Sequence, residues 1–133
     1  MPIQPPREIF APVELCGAEG RLNPAARGFS RRPYIHADIP GPLFRRKRWN
    51  FLFISHPDIL VAVALSNADY AGLAFLWLYD LKARRFREFE QMLPLGLGTQ
   101  LGPSMAAPAT LHHRRIQVDW TRDGDDVDVR VDI

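Results

Sequence analysis

Over the second two-thirds of the chain, apolar residues recur at every second position in short runs bounded by turn-forming residues. Trp49, Phe51 and Phe53 alternate with Asn50, Leu52 and Ile54, and His56-Pro57-Asp58 closes the run, which predicts a strand followed by a turn. Ile59 to Leu65 is a second apolar run, separated by the polar segment 66–72 from a third. There Leu73, Phe75, Trp77 and Tyr79 alternate with Ala74, Leu76, Leu78 and Asp80, and because both sets are mostly apolar the pattern predicts a strand covered on both faces. Lys82-Ala83-Arg84 forms the next turn, and Arg85 to Glu90 alternates again around Phe86 and Phe89.

The clearest pattern comes last. Ile116, Val118 and Trp120 alternate with polar neighbours, Arg122-Asp123-Gly124-Asp125 turns the chain, and Val127, Val129, Val131 and Ile133 alternate with Asp126, Asp128, Arg130 and Asp132. This predicts a hairpin with one buried and one wet face, whose last strand has no successor in the sequence and leaves an open sheet edge. Residues 1–42 carry many Pro, Gly and Arg residues without either period, and read as an extended arm that Phe29, Tyr34 and Ile35 are apolar enough to pin against a sheet. The expected architecture is therefore all-β: an arm over 1–42 and, over 43–133, an antiparallel meander of about six strands, a lipocalin-like half or incomplete β-barrel.

Length and composition agree with a single domain: 133 residues with 47% hydrophobic content bury a core without covalent staples. Cys16 is the only cysteine, so no intrachain disulfide forms, and Met1-Pro2-Ile3-Gln4-Pro5-Pro6 lacks the basic and apolar regions of a secretory signal. Both observations point to a cytoplasmic protein. Residues 59–81 are apolar enough to suggest a membrane helix, but Asp69 near their centre costs about 2.5–3.5 kcal/mol in a bilayer. Two strands joined by a polar loop account for the same residues, so no membrane span is expected.

The net charge of +2 hides an asymmetry, with nine Arg/Lys against four Asp/Glu in residues 1–48 and eight against eleven in residues 49–133. Arg45-Arg46-Lys47-Arg48 before Trp49 has the composition of a phosphate-binding strip, yet the six aspartates from Asp119 onward oppose it, and no nucleic-acid partner is expected. The histidines at 36, 56, 112 and 113 have no metal-site spacing, and no nucleotide or hydrolase signature is present, so neither metal nor cofactor is predicted.

Two sets of residues remain as candidates. Trp49, Phe51, Phe75, Trp77 and Tyr79 are expected to line an apolar ligand cavity at a barrel mouth, unless they are simply core. Asp69 and Tyr70, which interrupt the most apolar stretch, form a candidate catalytic pair: in an apolar cavity Asp69 has a raised pKa and acts as an acid while Tyr70 orients a substrate. The alternative is an ordinary hairpin loop in which Asn67 and Asp69 bond to backbone amides.

Four segments carry a family resemblance: Ala18-Glu19-Gly20-Arg21-Leu22-Asn23-Pro24, Gly28-Phe29-Ser30-Arg31-Arg32-Pro33, Arg46-Lys47-Arg48-Trp49-Asn50 and Ala68-Asp69-Tyr70-Ala71-Gly72-Leu73-Ala74. In order and spacing they resemble the start of the bacterial family known as domain of unknown function 2804. The link at Ala25-Ala26-Arg27 is longer than the family's. The resemblance implies a relationship to carotenoid hydratase and other proteins of two lipocalin-like halves, of which this chain would be the first. Two functions follow as expectations: binding an apolar small molecule, alone or as half of a hydratase- or isomerase-like enzyme, or assembly through an exposed edge strand and basic arm, as a homo-oligomer or with a second half.

Overall fold

Two consecutive meanders build the fold, because each alternating run is joined to the next by a tight turn and pairs with it. The computed structural model describes residues 5–133; residues 1–4, within the segment read for a secretory pattern, lie outside it. In the arm, β1 (Val13–Glu14) and β2 (Ile35–His36) form a short parallel pair around a single 3-10 turn at Pro24–Ala26. The first sheet contains β3 (Arg48–Ser55), β4 (Ile59–Asn67), β5 (Ala71–Asp80) and β6 (Arg85–Pro94) in that order. The second contains β7 (Thr99–Leu101), β8 (Ala109–His113), β9 (Ile116–Asp123) and β10 (Asp126–Asp132), again each beside its neighbour in sequence. Both are antiparallel throughout.

The architecture is thus all-β and antiparallel, and the two sheets do not close into a barrel. β7 and β8 are absent from the sequence reading: the first has only three residues, and the second shows only Ala109 and Leu111 as an inward set. β6 runs four residues beyond Glu90 to Pro94. The segment 59–81 forms two strands and a loop, and among the described residues no helix is long and apolar enough to cross a membrane.

Alternation assigns the core. Val63 and Leu65 of β4, Ala74 of β5 and Leu93 of β6 meet Ala109 and Leu111 of β8 and Ile116, Val118 and Trp120 of β9. Val127, Val129 and Val131 of β10 add a half-buried margin to this core, while Asp126, Asp128, Arg130 and Asp132 are exposed. The last hairpin is therefore one face buried and one face wet, and β10 is the outer strand of its sheet. Its loop is only Gly124-Asp125, with φ 59° at Gly124, the left-handed conformation that two-residue hairpins require at their first loop position. Where β6 passes into the second sheet, Thr99 lies so close to Gly72 of β5 that any side chain at position 72 would overlap its hydroxyl.

Candidate functional site

The five aromatic residues singled out from the sequence share one face of the first sheet. Strand register places Phe51 across Ala64 from Phe75, and Phe53 across Ala62 from Trp77, while Tyr79 stands opposite Leu60 and Phe86. The small alanines of β4 leave room for the rings on either side to lean together, and the Phe53 and Trp77 centroids are 5.8 Å apart, those of Trp77 and Phe86 6.0 Å. This is the face opposite the shared core. The expected enclosed cavity is replaced by an open aromatic strip, because the sheets stay unclosed; β5 is fully buried only at Gly72 and Ala74, on its core side. Phe53, Phe86 and Met92 belong to the strip and were not singled out, although the alternation with Phe51 already placed Phe53 on this side.

At the Trp49 end the strip adjoins a true concavity. The arm is stitched into register by Val13 N–H to the Tyr34 carbonyl and Leu15 N–H to the His36 carbonyl, each at 2.8 Å, and is tied to the loop after β7 by Ala37 N–H to the Pro103 carbonyl at 2.6 Å. Between arm, loop and the start of β3 lies a cleft of about 370 Å3. Leu15, Ile35, Ile39, Trp49 and Met105 supply most of its apolar lining, and Lys47, Arg48, Asn50 and Ser104 are its polar residues. Asn50 is only 7% exposed, and its side-chain nitrogen has no hydrogen-bond partner among the described residues. Lys47 and Arg48 make no ion pair among the described residues. This site was illegible from sequence because most of its apolar wall comes from the aperiodic arm.

Asp69 sits in the β4–β5 loop and is occupied with holding the chain that enters β3. Its Oδ2 accepts from the Phe44 amide at 3.0 Å and from Arg46 Nε at 3.3 Å, and its Oδ1 from Arg46 Nη2 at 3.3 Å, a two-pronged contact that fixes the guanidinium plane. Its own amide donates to Asn67 Oδ1 at 2.8 Å. The carboxylate is 8% exposed. Burial by itself raises its pKa, but the Arg46 hydrogen bond, the Phe44 amide and the Arg46 charge outweigh it, so Asp69 titrates below its ordinary 3.8. The raised pKa that an acid role requires is therefore absent. Tyr70 is half exposed, and its carbonyl accepts from Leu95 N–H at 2.8 Å. Neither Asp69 nor Tyr70 lines the cleft. The two histidine–carboxylate pairs, His36 with Glu14 at 3.3 Å and His112 with Asp119 at 2.7 Å, lie on the surface. No group of three or more metal-ligating side chains occurs among the described residues.

Comparison with curated proteins and with solved structures finds no match. A family profile described as Domain of unknown function (DUF2804) matches residues 6–133, which takes in the arm, the cleft and both sheets. The chain belongs to that family.

Proposed function

We propose that the chain is a binding module for an apolar small molecule, held in the cleft where Trp49 joins the arm to the first sheet. The observation that carries this reading is the cleft itself: an apolar concavity with a few convergent polar groups, at the lower end of the usual 300–1,000 Å3 of ligand sites. In this reading Trp49 lies at the mouth, and Phe51, Phe75, Trp77 and Tyr79 extend an apolar track away from it. The same surface serves as one wall of a hydratase- or isomerase-like enzyme if a second lipocalin-like half packs against it. Titration with the uncharged fluorophore N-phenyl-1-naphthylamine tests the reading. Saturable binding at one site, weakened by Trp49→Ala and unaffected by Phe86→Ala, is expected; fluorescence that never saturates overturns it.

Exposure of the aromatic strip favours a second reading, an assembly protein. Trp49 is 67% exposed, Met92 61% and Phe86 55%, with Phe51 and Phe53 each near half. At about 200 Å2 per large side chain this leaves roughly 600 Å2 of apolar surface, the top of the range for an ordinary monomer. Two such faces packed together reach the lower end of stable interfaces. Sedimentation velocity separates the readings: a dimer dispersed by Phe53→Lys supports assembly, and a monomer at high concentration excludes it.

A further inference from the structure

We propose that the cleft takes a free single-chain carboxylate amphiphile, a fatty-acid-like molecule, with its head group at Lys47 and Arg48 and its chain against Leu15, Ile35, Ile39 and Met105. The inference rests on the small-molecule reading above and specifies the ligand's chemistry. Three features carry it.

The first is the distribution of cations at the start of β3. In the basic run 45–48, Arg46 is neutralised by Asp69, whereas the next two residues line the cleft and make no ion pair among the described residues. Successive strand residues face opposite ways, so Arg48 and Asn50 lie to one side of β3 and Trp49 to the other, with Lys47 directly before the strand. β3 is the outer strand of its sheet, and the cleft wraps around that edge. An anion there meets two cations from two directions. A cationic head meets no carboxylate among the lining residues.

The second feature is Asn50. A buried amide without a partner is costly, and its burial beside the two cations leaves a donor that a carboxylate oxygen satisfies. The third is the character of the wall. Leu15, Ile35, Ile39 and Met105 are aliphatic or thioether side chains that conform to a flexible chain, and Trp49 is the single aromatic ring. A flat base or a sugar finds neither a stacking pair nor a ring of hydroxyl and amide partners.

The test is competition for the bound naphthylamine by three probes of equal chain length: dodecanoate, dodecanol and dodecyltrimethylammonium, each below its aggregation concentration. Dodecanoate is expected to bind about tenfold more tightly than dodecanol, the least that charge-assisted hydrogen bonds supply. In a Lys47→Gln/Arg48→Gln variant the advantage of dodecanoate over dodecanol is lost. In Lys47→Glu/Arg48→Glu the order reverses in favour of dodecyltrimethylammonium, a gain that misfolding does not produce. Equal affinity for acid and alcohol in the native chain overturns the head-group assignment and leaves the apolar binding reading intact. Failure of all three to compete removes both. Sedimentation with phosphatidylglycerol vesicles is the final arm: capture by vesicles without competition by dodecanoate assigns the cations to a membrane surface and overturns the proposal.

Discussion

The backbone amide of Phe44 donates to Oδ2 of Asp69 at 3.0 Å, and both residues hold left-handed backbone, at φ 69° and 63°. An aspartate tolerates that conformation, whereas a phenylalanine in it is unusual and requires the surroundings to hold it there. The carboxylate does so from across the sheet end, and Arg46 closes the clasp two residues later. The clasp acts on Lys47 and Arg48, which follow directly. Asp69 therefore holds the backbone that leads into Lys47 and Arg48, and the same contacts keep its carboxyl below the ordinary carboxylate range.

Removal of this clasp has a pH signature. The folded carboxylate titrates below 3.8, so its stabilising contribution is fully present above that value and disappears as the pH falls through the lower folded pKa. Asp69→Asn is expected to lower the melting temperature by several degrees at pH 7, and native and variant curves are expected to converge in strong acid. Melting followed by circular dichroism from pH 7 down to pH 2 checks it; an equal gap at both ends refutes it.

Thr99 and Gly72 are coupled. Gly72→Ala forces a methyl group into the Thr99 hydroxyl and should cost about 1–3 kcal/mol, as overpacking does. That hydroxyl is buried without a partner among the described residues, so Thr99→Ala is expected to be close to neutral. The double variant should recover part of the loss in urea unfolding. Strict additivity of the two changes would exclude the coupling.

Trp120 is fully buried at the centre of the core, and its indole N–H has no partner among the described residues. Trp120→Ala should cost about 3–5 kcal/mol. Trp120→Phe should cost clearly less, since it keeps most of the volume and removes an unmet donor. Equal losses in the two variants would mean that the N–H is bonded in solution.

The far-ultraviolet circular dichroism spectrum is expected to be that of antiparallel strands, because the one helical element among the described residues is a three-residue 3-10 turn. A helical double minimum is incompatible with the fold.

The long strands were legible from sequence because their alternation runs unbroken, as in Trp49 to Ile54 and Ile116 to Ile133. Alternation could also say that Phe51, Phe75 and Trp77 face the same way if their strands pair in register. It could not say which way, because Leu73–Asp80 is apolar on both sides and the period is silent about which side meets a second sheet. β7 escaped notice because three residues hold no period. Arg46 is one of four consecutive basic residues, and nothing local distinguishes the one that pairs with Asp69, 23 positions away, from those left facing the cleft. The cleft needed the path of the arm.

Every strand of the two sheets is bonded only to strands adjacent in sequence. Each meander therefore closes through short loops, at small entropic cost, before anything distant has been brought together. The slow event left to the folding chain is the meeting of two preformed faces across the Leu95–Gly98 turn, where Leu65 and Leu111 first become neighbours. A chain severed within that turn keeps every ladder hydrogen bond inside one fragment or the other, so fragments 5–95 and 98–133 retain the pairing information and reassemble through their apolar faces and the few bonds between them, such as Ala37 N–H to the Pro103 carbonyl.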